Sequence, residues 1–93
     1  MIIDNTIKEI ESGREYTVDK CANGVTMQVN GAAVSVQGTV DGENWADVAA
    51  VNLSDYSASS VTDTGGIYKI MLAGGLCALK FTFSGGTVTA CAT

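Results

Sequence analysis

The stretch "VSVQGTVDGENWADV", residues 34–48, decides the fold. Val34, Val36 and Val40 fall on one side of an extended chain, and Ser35, Gln37 and Thr39 fall on the other. That alternation of period two is the mark of a strand with one buried face. Asp41-Gly42-Glu43-Asn44 then interrupts it, and the chain restarts at Trp45, the single tryptophan. Asp-Gly tolerates the positive φ of a tight reversal. The stretch therefore reads as strand, turn, strand.

The same grammar extends outward. "VTMQV" sets Val25, Met27 and Val29 against Thr26 and Gln28. "CALKFTF" sets Cys77, Leu79, Phe81 and Phe83 against Ala78, Lys80 and Thr82, and in "YKIML" Tyr68, Ile70 and Leu72 form the inward set. Glycine pairs punctuate these runs. Asn30-Gly31 predicts a hairpin between its two flanking strands, and "FTFSGGTVTA" predicts a closing hairpin. Asn23-Gly24, Gly65-Gly66 and Gly74-Gly75 mark further reversals, and residues 54–66 read as a long polar loop with room for one short edge strand. Strands recurring at about 8 to 12 residues predict an all-β protein. The expected architecture is an antiparallel β-sandwich, jelly-roll or immunoglobulin-like, of about seven or eight strands over residues 16–93.

Residues 1–15 differ. Ile3, Ile7 and Ile10 are spaced i, i+4, i+7, a helical stripe. They predict a short N-terminal helix or arm, packed either on its own sandwich or on a neighbouring subunit. So short a helix is marginal alone, so this stripe is the candidate assembly contact.

The chain has 93 residues, enough for one thin core. Ten acidic against five basic residues give a formal net charge of −5. Phosphate backbones and anionic lipid surfaces select for lysine and arginine in quantity. Neither nucleic acid nor membrane is therefore an expected partner. No apolar run approaches the roughly 20 residues needed to cross a bilayer, and "MIIDNTIKEI" lacks the pattern of a secretion signal. The three cysteines cannot all pair together, and their spacing matches no zinc pattern. Cys77 shares the apolar phase of its strand and reads as core; Cys21 and Cys91 read as reduced thiols at strand edges.

There is no histidine, so the commonest general base is missing. No serine or cysteine sits in a motif that would activate it. An enzyme is not expected, and no cofactor is called for. Asp41, Glu43, Asn44 and Asp47 carry the hard oxygens that calcium favours, but their spacing is not that of a calcium loop. Such residues populate turns because they bond their own backbone. Trp45 reads first as an anchor capping the core. The alternative is a glycan contact, with Trp45 stacking on a sugar beside Asp41, Glu43 and Asn44.

Taken in order, the segments Thr39–Trp45, Gly66–Tyr68, Gly75-Leu76, Lys80 and Gly86–Thr89 resemble a small β-sandwich module of tailed-phage and prophage virion proteins. In that module a Ser/Thr-hydrophobic-Asp-Gly-x-Asn-Trp turn precedes a Gly-hydrophobic-Tyr segment, a Gly-Leu step, a strand with a basic residue and a final Gly-Thr-hydrophobic-Thr strand. The resemblance covers residues 16 to 92, with Lys80 standing where arginine is usual. Such modules occur in head decoration proteins, head fibres and tail or baseplate proteins. A lone module with a short arm is most like a capsid decoration subunit, assembled in the host cytoplasm and carried on the virion. The resemblance thus implies the major capsid protein or other virion proteins as partners, with a homo-oligomer, trimer or dimer, on the particle. The alternative it implies is a glycan- or receptor-binding module of a phage tail or baseplate.

Overall fold

The computed structural model describes residues 2–19, 22–71 and 76–92. Cys21, Leu72 and the Gly74-Gly75 turn lie outside the described residues. The protein is all-β. Its strands are β1 (Ile2–Ile3), β2 (Lys8–Glu9), β3 (Glu15–Val18), β4 (Gly24–Asn30), β5 (Ser35–Thr39), β6 (Ala46–Asp47), β7 (Ala50–Asn52), β8 (Ala58–Ser59), β9 (Gly65–Met71), β10 (Ala78–Thr82) and β11 (Thr87–Ala92). Four are two-residue pieces at sheet edges, and the longer strands make up the sandwich expected from the alternation. One sheet runs β1-β3-β10-β5-β6 and the other β2-β11-β4-β9-β7-β8. All pairings are antiparallel except β1 with β3.

The alternation places the core. Val25, Met27 and Val29 of β4 are buried, as are Tyr68 and Ile70 of β9 and Val88, Ala90 and Ala92 of β11. Facing them from the other sheet are Tyr16, Val36, Leu79 and Phe81. Tyr16 and Phe81 meet edge to face, with ring centroids 6.2 Å apart, the geometry that aromatic quadrupoles favour. The Tyr16 hydroxyl accepts the Glu11 N–H at 2.8 Å, so its polar atom is not stranded inside.

Two turns do other work than the sequence suggests. β4 and β5 lie in different sheets, and so do β10 and β11. Asn30-Gly31 and Gly85-Gly86 are therefore arches between sheets, not hairpins. Gly31 and Gly86 both have positive φ, and the two arches lie against each other. A Cβ on Gly86 would collide with the Asn30 carbonyl. The glycines are needed for close approach as much as for reversal. The β5–β6 reversal is a hairpin as expected, with Gln37 opposite Asp47 and Gly38 opposite Ala46.

The N-terminal segment forms no helix among its described residues. β1 extends one sheet beside β3, and β2 extends the other beside β11. Ile3 and Ile10 are completely or almost completely buried in the common core, whereas Ile7 is 80% exposed. The i, i+4, i+7 spacing arises here from two strand fragments separated by a turn. Backbone bonds lock them in place: Asp19 N–H donates to Ile3 O (3.1 Å), Ile10 N–H to Val88 O (2.8 Å) and Ala92 N–H to Asp4 O (2.6 Å). Residues 2–10 thus complete both sheets, and Ile3 and Ile10 offer no free contact surface.

Smaller differences follow from strand ends. Val40 is exposed because the strand has already entered the turn, and Gly38 and Thr39 are both buried just before it. Cys77 lies ahead of β10 and is exposed rather than in the core. Cys91, on β11, is half-buried. The loop of residues 54–66 does carry a short edge strand, β8, and then returns across β5, where Ser35 and Val61 form a bridge.

Candidate functional site

The turn after β5 is built around one carboxylate. Asp41 Oδ1 accepts the backbone N–H groups of Glu43 and Asn44, both at 2.8 Å, and the Thr39 hydroxyl at 3.0 Å. Its Oδ2 accepts the Asn44 side-chain amide at 2.8 Å. The Thr39 hydroxyl also accepts the Gly42 N–H at 3.0 Å, which explains why a threonine can be buried there. Gly42 supplies the positive φ of the reversal. The amide donors of Asn44, with Glu43 N–H and the Thr39 hydroxyl, favour the ionised form and hold the Asp41 carboxyl far below the usual carboxylate range. Both its oxygens face into the turn, so Asp41 is occupied as a structural brace.

Trp45 leaves this turn at the rim of the β5–β6 hairpin. It is half-buried and does not join the core, contrary to its reading as a core anchor. The Lys80 ammonium lies 4.3 Å from the centre of its ring, a cation–π contact worth about 0.5–1 kcal/mol at a surface site. Lys80 comes from β10, where it pairs with Glu15 on one side and Gln37 on the other. Gln37 in turn pairs with Asp47. The outer face of this sheet therefore carries a row Glu15–Lys80–Gln37–Asp47, with Trp45 drawn over its basic member.

Asp41, Glu43, Asn44 and Trp45, the residues of the glycan alternative, do come together on one turn. Their availability differs. Asp41 is fully engaged, Glu43 and Asn44 are exposed, and Lys80 occupies a face of the Trp45 ring. Among the described residues no group of three or more carboxylates and thiols is placed to hold a metal. The sequence did not disclose the Lys80–Trp45 contact. Its faint signal was the polar phase of Lys80 in "CALKFTF"; the missing information was that β10 lies beside β5.

The opposite outer face, on the other sheet, carries a second feature. Ile7, Thr26, Gln28, Ile67, Thr89 and Cys91 line a shallow apolar depression there. Of the predicted assembly contacts, Ile7 alone stays exposed, and it lies here.

No family profile matches this sequence, and no curated protein matches it as a relative. Among solved structures, the chain is similar to the SPBc2 prophage-derived protein YomS. The two superpose with a TM-score of 0.74 at 17% sequence identity, over 97% of this chain and 93% of that one. The two-sheet fold is thus one already seen in a prophage-derived protein.

Proposed function

We propose that this protein is a non-enzymatic structural subunit of a phage-related particle, and that it binds the head lattice as a capsid decoration. The observation that carries the reading is the end-to-end likeness of fold to a prophage-derived protein of nearly the same length. The order of turn and strand motifs from Thr39 to Thr89 supports it independently. The character of the turn is in keeping with it: Asp41 braces backbone, and Trp45 is clamped by Lys80. Such groups make a rigid block for docking rather than a site that moves protons.

The partners proposed are the major capsid protein or other virion proteins. The test is to band the particles of the phage that encodes the chain, separate heads from tails, and quantify this protein in each by mass spectrometry. A fixed copy number on heads supports decoration. Absence from every particle fraction overturns the reading.

One observation favours a second reading, a glycan-binding module of a tail or baseplate. Trp45 is at the surface beside Glu43 and Asn44 rather than in the core. A sugar stacking there would have to displace the Lys80 ammonium. Recovery in tail fractions, with Trp45 fluorescence changing on addition of host surface glycan, would favour this reading over decoration.

A further inference from the structure

Two identical bodies of net charge −5 repel one another. They can associate only through a surface where that charge is absent or compensated. Among the described residues such a surface is the outer face of the β2-β11-β4-β9-β7 layer. Of the ten acidic side chains, only Glu9 has a register position on it, opposite Thr89 at the β2 edge. Lys69 balances it from β9, where it pairs with Thr26 and Val51. The remaining acids sit elsewhere. Glu15 and Asp47 lie on the outer face of the other sheet, Asp41 and Glu43 in the turn beside it, and Asp4, Glu11, Asp19, Asp55 and Asp63 in connections.

The same face gathers apolar side chains. Ile7 and Ile67 are 80% and 46% exposed, Met71 is 62% exposed and Leu53 is 40% exposed. Ile67 lies opposite Gln28, Met71 opposite Gly24, and Leu53 N–H donates to Ile67 O at 3.0 Å, so these strands place them together. Between them lie short hydroxyl and amide side chains, Thr26, Gln28 and Thr89. Among the described residues the long charged side chains with register positions on the face are these two compensating members, and a Cβ on Gly24 would come within 3.0 Å of the Lys69 Cε, so that stem lies flat along the sheet.

We infer that this face is a self-association surface, on which a second copy of the chain packs sheet to sheet. A two-fold axis along β4 lays the β9 side of one copy over the β11 and β2 side of the other. Ile67 and Lys69 then meet the end that carries Ile7, Cys91 and Glu9. Oppositely charged members fall on opposite halves of the face, as an isologous contact needs. Five strands at their ordinary spacing and about seven residues of length give a face of about 20 by 23 Å. Two such faces remove roughly 1,000 Å² of surface in total, the lower edge for a specific interface. The dimer is therefore weak in dilute solution and forms where copies are concentrated. This holds whether or not the protein sits on a particle.

The test is sedimentation velocity of the full chain from about 10 μM to 1 mM, under reducing conditions so that Cys77 and Cys91 cannot cross-link copies. The expected result is a reversible shift from monomer to dimer. Ile67→Glu and Lys69→Glu each weaken the dimer at least ten-fold, while Val40→Glu, also exposed but off the face, leaves it unchanged. Circular dichroism establishes that each variant is folded, and loss of amide NMR peak shifts on dilution must map to β4, β9 and β11. A monomer throughout this range overturns the inference, as does an Ile67→Glu variant that dimerises like the parent. Protection of these strands only when the protein is bound to particles also overturns it, because the occupant is then a different protein.

Discussion

Replacing isoleucines one at a time separates a core segment from a loose arm. Ile3 is fully buried and Ile10 nearly so, both in the shared core cluster, whereas Ile7 is 80% exposed. Truncating a buried isoleucine to alanine removes its transfer free energy and leaves a cavity, together about 2–5 kcal/mol. Domains have about 0.05–0.15 kcal/mol of stability per residue, so this one has about 5–14 kcal/mol in all. Ile3→Ala or Ile10→Ala therefore removes a large share of it, and about 4–8 °C of Tm is lost per kcal/mol in a domain of this size. Ile7→Ala has little to remove from water and stays within about 0.5 kcal/mol of the parent. Removing residues 1–12 takes out both isoleucines together with the bonds from Asp19, Ile10 and Ala92 and the Ser12 hydroxyl that accepts the Phe83 N–H. That truncation is expected to abolish cooperative folding. The assay is urea or thermal unfolding followed by circular dichroism. An Ile3→Ala variant that unfolds within a degree or two of the parent, or a truncated chain with an undiminished β-sheet transition, would show that residues 1–12 are not part of the core.

Three further outcomes follow from the turn and the sheet crossings. Asp41 has a depressed folded carboxyl pKa, so its bracing is complete above the ordinary carboxylate range and is lost as pH falls through the depressed value; an NMR titration should show it still ionised near pH 3 (about where free Asp is mostly protonated), and a normal Asp titration contradicts this. Lys80→Ala should leave the fold intact and raise acrylamide quenching of Trp45, while Lys80→Arg preserves the shielding, since either cation stacks on the ring. Gly38→Ala would set a Cβ 2.8 Å from a Val48 methyl and should destabilise by about 1–3 kcal/mol by overpacking, measured by chemical denaturation; a neutral result means the hairpin shifts freely.

The sequence disclosed what alternation can disclose. Val25, Met27 and Val29 face inward because every second residue must, and the Asp41-Gly42 reversal follows from side chains that bond their own backbone. What it hid was long-range. Asn30-Gly31 has the local chemistry of a hairpin, yet the chain leaves one sheet there and enters the other, a choice set by packing against Gly86 rather than by the turn. The Ile3, Ile7, Ile10 spacing suits a helix, but pairing with β3 and β11 overrides a weak local preference. Trp45 reads as core from its sequence because a small core has few aromatics to spare. Tyr16, Phe81 and Tyr68 suffice, and Lys80 from a strand far off in sequence takes the indole ring instead. Pairing between distant strands is not written in local periodicity, and each of these differences turns on it.

A structural subunit of a phage-related head, as proposed, must be visible by cryo-electron microscopy of purified particles compared with and without this protein. The expected result is difference density for a two-sheet body of about 30 × 24 × 24 Å repeated at equivalent positions on the head surface. Identical maps from the two preparations, or density confined to the tail tip, would contradict it.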